Sequence, residues 1–215
     1  MHLMTVGSTD RLPTGRLRRA RPLVARQLAR GETDDMTVGA VVLAAGGSVR
    51  FRDGAKLAAF FRGRPLASWA VEAALEAALD QTIVVLGAAE LALPAGVDVI
   101  RNDAWGNGLA SSLACAIDAC DHHDAIVVAL ADMPFVTPQA WRSVAFSSAP
   151  IAVATYEGSR SHPVRFAREV WPLLPRSGDI GARELMRRRP DLVQEVPCSG
   201  WPVDIDTVED LGEWS

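Results

Sequence analysis

The stretch Val38-Gly-Ala-Val-Val-Leu-Ala-Ala-Gly-Gly-Ser-Val-Arg-Phe-Arg-Asp-Gly-Ala-Lys56 decides the fold. Its first seven residues are apolar throughout, as in a strand covered by helices on both faces. The strand runs into a loop of small residues broken by Ser48, Arg50 and Lys56. Beyond Lys56, short β-branched runs alternate with helical patterns. Pro65 to Leu79 predicts a helix with proline in its first turn, Thr82 to Gly87 a strand, and Val97 to Arg101 a short strand. Gly108 to Cys120 predicts a helix, Asp124 to Ala131 a buried strand, and Gln139 to Phe146 a helix with Thr137 as N-cap. Ile151 to Tyr156 and His162 to Phe166 read as strands joined by the loop Glu157 to Ser161. A helix within Gly178 to Arg189, a last strand at Val203 to Asp206 and a helix at Val208 to Trp214 complete the chain. This alternation implies an α/β fold of three layers, α/β/α, around a mostly parallel, mixed, Rossmann-like sheet.

Composition narrows the function classes. The 215 residues are 49% hydrophobic and 22% charged, values of a folded globular chain. No apolar run approaches the roughly 20 residues of a bilayer helix, so no membrane partner is expected. Residues 1 to 35 carry seven arginines and four acidic residues without apolar periodicity, and read as a disordered, Arg-rich tail before a single domain at 36–215. Met36 directly precedes the first strand, where a natural start would fall. Setting the tail aside leaves fifteen basic against twenty-two acidic residues, net −7, which disfavours a nucleic-acid partner. Cys115, Cys120 and Cys198 form no C-x-x-C pair and read as small buried hydrophobes in a reducing cytoplasm. Among twenty-two basic residues only Lys56 is lysine.

A loop of small residues after a central strand lets backbone N–H groups approach phosphate oxygens while cations neutralise them. The dinucleotide fingerprint G-x-G-x-x-G is absent, and Lys56 lacks the neighbours of a P-loop lysine. What remains resembles the L-A-A-G-x-S-x-R signature of the molybdenum-cofactor cytidylyltransferases, within the MobA-like NTP transferases. Five further segments are similar to that family in the same order. They are Asn102 to Leu113 (NDAWGNGLASSL), Ala131 to Val136 (ADMPFV), Ser161 to Phe166 (SHPVRF), Gly178 to Arg183 (GDIGAR) and Asp204 to Leu211 (DIDTVEDL). Arg52, Ser161 and Val208 depart from the pattern, standing where it has glycine, glycine and proline.

The resemblance implies a nucleotide-diphospho-sugar transferase (GT-A-like) fold. It also implies transfer of CMP from CTP to molybdopterin, with release of pyrophosphate and a molybdoenzyme as recipient of the product. Arg50, Lys56 and Asp132 would be catalytic. Leu43, Ala44, Ala45, Gly46, Gly47, Ser48, Lys56, Gly108, Ser111 and Ser112 would hold the nucleotide. Mg²⁺ would sit on Asp132, at the end of a buried strand where α/β sheets place ligands, and on one of Asp204 and Asp206. His162, Asp179 and Arg183 would border the acceptor, with helix capping as the alternative role for Asp179. A GTP-using transferase, another acceptor, a non-catalytic carrier of nucleotide or pterin, and a nicotinamide-dependent oxidoreductase stay open as alternatives; the missing fingerprint weighs against the last. His122 and His123 are expected at the surface, Trp69, Trp141, Trp171, Trp201 and Trp214 in packing, and Trp105 against a ligand. Arg187 to Arg189 reads as charge complementing a helix C-terminus.

Overall fold

In chain order, the elements of the computed structural model are β1 (Val38–Ala44), a 3-10 turn (Lys56–Ala58), the small hairpin β2 (Phe60–Phe61) and β3 (Arg64–Pro65), and α1 (Leu66–Glu76). Then come β4 (Gln81–Leu86), β5 (Asp98–Arg101), α2 (Leu109–Ala119), β6 (Ala125–Leu130), α3 (Pro138–Ala145), β7 (Ile151–Tyr156) and β8 (Ser159–Ala167). The chain continues through α4 (Arg183–Arg188) and β9 (Val193–Pro197) to α5 (Val208–Trp214). The structure describes residues 36–46 and 56–214. The expectations for residues 1–35, and for Gly47, Ser48, Arg50 and Arg52, lie outside these.

A seven-stranded mixed sheet runs β5-β4-β1-β6-β8-β7-β9. β1 is parallel to both β4 and β6, β4 to β5, and β7 to β9. β8 is antiparallel to β6 and β7. The unbroken apolar run of β1 conceals a period of two. Val38, Ala40, Val42 and Ala44 enter the core shared with α1 and α3, including Val71, Trp141 and Val144. Val41, Leu43 and Ala45 enter the opposite core with Leu113, Ala116 and Ile117 of α2. Helices therefore cover both faces, and each fully buried valine contributes about 1.5–3 kcal/mol. The chain leaves β1 towards β4 and β5, then returns across it to β6. That reversal opens a crevice at the carboxyl ends of β1 and β6, where such sheets bind ligands.

α3 starts as its sequence implies: Thr137 Oγ1 accepts from the Ala140 N–H at 3.2 Å, and Pro138 opens the first turn. Several expectations need correction. Val203–Asp206 is not a strand; the sheet edge beside β7 is taken by β9, a half-exposed strand whose mixed polarity hid it. The expected five-residue loop between β7 and β8 shrinks to Glu157 and Gly158 (φ 51° and 84°), because two left-handed residues make the tight turn that matches hairpin twist. The helix expected within Gly178–Arg189 is present, at Arg183–Arg188.

His123 is not at the surface but 3% exposed. Trp201 does touch Phe135 and Trp214, yet stays 61% exposed.

Candidate active site

Leu43 and Leu130 are register partners at the carboxyl ends of β1 and β6. The Ala131 N–H donates to the Leu43 carbonyl at 3.0 Å, which aims the following residue, Asp132, into the crevice. A second carboxylate is delivered from the far end of the chain. The Ile205 side chain is fully buried against Phe61 and Leu66, and its N–H donates to the Asp132 carbonyl at 3.0 Å. Asp206 is thereby pinned beside Asp132. Its N–H and that of Thr207 donate to Asp210 Oδ2 at 2.8 Å, while the Asp210 N–H donates to Thr207 Oγ1 at 3.1 Å. This reciprocal capping of α5 fixes the backbone that carries Asp206.

Lys56 joins the two. Its Nζ donates to Asp132 Oδ2 at 2.8 Å and to Asp206 Oδ1 at 2.7 Å, and the residue is 7% exposed. Burial alone would push the ammonium pKa down, but the charge and hydrogen bonds of Asp132 and Asp206 outweigh it and hold it above its ordinary value. Asp132 Oδ1 is buried with no hydrogen-bond partner among the described residues. An orphaned carboxylate oxygen beside a second carboxylate is a donor set that suits a hard divalent cation. Among the described residues no group of three or more His, Cys, Asp and Glu side chains gathers to hold an ion, so protein ligands alone would leave its shell incomplete.

Asp204 behaves differently. Two residues apart on a regular strand share a face, so a strand here would have sent both aspartates the same way. Outside the sheet they diverge: Asp206 reaches Lys56, whereas Asp204 is exposed and acts on His162 by its charge.

The Lys56 cluster lies in a 440 Å³ cavity that Ala45, Gly46, Trp105, Gly108 and Ser112 also line. The first turn of α2 thus borders it and adds the positive end of its dipole. Ala44 instead packs in the core, and Ser111 Oγ accepts from Asn102 Nδ2 (2.9 Å) and donates to the Gly108 carbonyl at the helix start (2.8 Å), a structural task. A second cavity of 490 Å³ shares Leu43, Leu109 and Asp179 with the first. It has an apolar floor that includes Val128, Phe166 and Met186, and polar groups at Arg160, His162, Arg183 and Arg187. Burial first, then the Arg183 charge, pulls the His162 pKa down to about 4, so its imidazole is neutral near pH 7.

Asp179 stands between the cavities because its loop is clamped to the start of α2. The Gly178 N–H donates to the Asn107 carbonyl at 2.7 Å, and the Ala110 N–H to the Gly178 carbonyl at 3.0 Å. Gly108 (φ 89°) makes room: a Cβ there would lie 2.5 Å from Asp179 Oδ1. Asp179 caps no helix, since the N-cap position of α4 is Ala182 and no side chain caps it.

Sequence reasoning missed Leu109, Arg160 and Met186 as cavity residues. Leu109 and Arg160 adjoin motif residues and were within reach, whereas Met186 is ordinary helix sequence. Trp105 lines the nucleotide-sized cavity, its side chain so close to Gly87 that a Cβ there would lie 3.0 Å from the indole.

The chain is 32% identical over 199 residues to nicotine blue oxidoreductase of Paenarthrobacter nicotinovorans, covering 84% of this chain and 98% of that one. Its structure is similar to that of Rv0371c from Mycobacterium tuberculosis H37Rv, with TM-score 0.73, 30% identity, and 83% and 97% of the two chains covered. A second structure of Rv0371c, a complex with manganese, matches with TM-score 0.71 and 29% identity over 83% of this chain and 98% of that one. Residues 40–193, which hold Lys56 and Asp132 but not Asp206, match the MobA-like NTP transferase domain, and the chain belongs to that nucleotidyltransferase family.

Proposed function

We propose that this protein transfers CMP from CTP to the phosphate of molybdopterin and releases pyrophosphate. One observation carries the reading: a buried lysine bridging two carboxylates in a cavity that meets a second, partly apolar cavity at Asp179. The first would take the triphosphate, with Lys56 and the amides of Ala45 and Gly46 facing its oxygens and Arg50 adding charge. The second would take the flat pterin, with the neutral His162 and Arg183 at its polar side. An acceptor phosphate oxygen attacks the α-phosphorus as its bond to the pyrophosphate oxygen breaks. A phosphate monoester is already anionic near neutral pH, so the site needs alignment and charge neutralisation rather than a general base. Mg²⁺ held by Asp132 and Asp206 would supply further neutralisation of the phosphates; the manganese complex of Rv0371c supports a divalent ion here. A molybdoenzyme would receive the product.

The test is pyrophosphate release from CTP in the presence of Mg²⁺. Release should require molybdopterin and be lost in Asp132→Ala. Preference for GTP, or for another phosphorylated acceptor, would keep the chemistry and correct the substrate. Tight ligand binding without turnover would support a carrier instead.

A second reading, a nicotinamide-dependent oxidoreductase, has in its favour the relative named as nicotine blue oxidoreductase. The missing G-x-G-x-x-G loop weighs against it, and oxidation of NADH or NADPH by the purified protein in the presence of nicotine blue would establish it.

A further inference from the structure

Lys56 is the only lysine of the chain, and its ammonium occupies the space between the two carboxylates to which the reading above assigns a divalent cation. Resting on that reading, we propose that Lys56 is the resident counter-ion of the carboxylate pair and that it makes divalent cation and triphosphate bind cooperatively. A divalent cation held by Asp132 and Asp206 would compete for these carboxylates with the Lys56 ammonium, which donates to Asp132 Oδ2 and Asp206 Oδ1. Lys56 offsets one unit of the negative charge that the pair presents, so a bare cation is attracted less than it would be without the lysine. A cation that enters alone also sets a buried ammonium beside a like charge, with both of its acceptors taken. A triphosphate in the same cavity removes that conflict, because its oxygens accept from the ammonium once it lets go of the carboxylates. Each ligand therefore improves the site for the other, and by linkage the two enhancements are equal. Lysine suits the exchange: a compact ammonium on a four-carbon stem changes partners by rotating its χ angles, whereas arginine's planar fork would stay bound to the carboxylates. The free oxygen of Asp132, Oδ1, offers the cation a first foothold before Lys56 moves.

The experiment measures binding rather than turnover. Free Mn²⁺ is followed by electron paramagnetic resonance in titrations of the full chain, wild type and Lys56→Met, with and without a non-transferable CTP analogue. Without nucleotide, Lys56→Met should bind Mn²⁺ on the order of tenfold more tightly than wild type. The analogue should raise Mn²⁺ affinity by a similar factor in wild type and by much less in the variant. Because the chain has one lysine, protein made with isotope-labelled lysine gives a single Nζ resonance. It should stay in place with Mg²⁺ alone and shift when the analogue is added. A folded Lys56→Met that binds Mn²⁺ no more tightly than wild type overturns the proposal, as does an Nζ resonance that shifts fully with Mg²⁺ alone; if the variant does not fold, the wild-type resonance decides. Absence of any Mn²⁺ or analogue binding in wild type overturns the transfer reading itself. Normal binding of both without coupling overturns the counter-ion role alone.

Discussion

Gly108→Ala tests how the two cavities are held together. Gly108 has φ 89° and ψ 175°, a region open essentially to glycine alone, so any side chain there is strained by about 1–3 kcal/mol. The added Cβ would also lie 2.5 Å from Asp179 Oδ1 and from the Gly178 carbonyl carbon, inside any real contact distance. The loop must then retreat, breaking the Gly178 N–H to Asn107 and Ala110 N–H to Gly178 bonds, worth about 1 kcal/mol each. Together the expected loss is about 3–5 kcal/mol. Urea unfolding of wild type and variant measures it through the midpoint, with an unchanged slope. Gly106→Ala is the control: a Cβ there meets nothing within 4 Å, so its stability should stay within about 0.5 kcal/mol of wild type. If Gly108→Ala also falls within about 0.5 kcal/mol, the clamp between α2 and the Asp179 loop does not hold the site as described.

Further outcomes follow from the same geometry. Lys56→Arg keeps the charge but replaces a point donor with a planar fork, and should lower pyrophosphate release at least tenfold; full activity would show that the residue's shape is irrelevant. Trp105→Ala should weaken nucleotide binding by about 1–3 kcal/mol if the indole stacks on the base, whereas Trp105→Phe should keep binding and lose the nucleotide-induced change in tryptophan fluorescence. His123 makes stability depend on pH. Gln81 Nε2 donates to Asp98 Oδ2 at 2.9 Å, which turns Gln81 Oε1 towards His123, so Nε2 of His123 donates at 2.8 Å and its buried Nδ1 has no hydrogen-bond partner among the described residues. Burial first, then His122 and Arg168 against the opposing Asp80 and Asp124, lowers its pKa below 6.5. The unfolded chain then binds more protons, so this contribution is complete above about pH 6.5 and declines as pH falls below it, by at most about 1.4 kcal/mol per unit. His123→Gln should flatten that decline relative to wild type, in which His162 adds a term of the same sign; an unchanged slope would place the titration elsewhere.

β1 and the buried β6 were legible because both faces of each strand are covered, which leaves an unmistakable apolar run. β9 was not, since an edge strand with alternate residues in water resembles a loop. Val203–Asp206 misled for the opposite reason: its apolar residues include one deep anchor, Ile205, rather than a strand face. His123 sits in a polar run, but Gly39, the one residue of β1 without a side chain, was a usable signal of close approach, because a Cβ there would lie 3.0 Å from that imidazole. In the site, Lys56 stood out by composition and Asp132 by its place at a strand end. The choice of Asp206 over Asp204 depended on a backbone pin between residues 132 and 205, which no local pattern records.

The proposed transfer requires the crevice to bind a nucleoside triphosphate together with a divalent cation. Melting temperature measured with each of the four nucleoside triphosphates, with and without Mg²⁺, tests it most directly. A ligand at a hundred times its Kd stabilises by about 2.7 kcal/mol, which for a chain of this size raises Tm by roughly 5–10 °C. The account predicts such a rise with CTP and Mg²⁺ together, abolished in Asp132→Ala. No rise with any of the four, or an equal rise in Asp132→Ala, would contradict it.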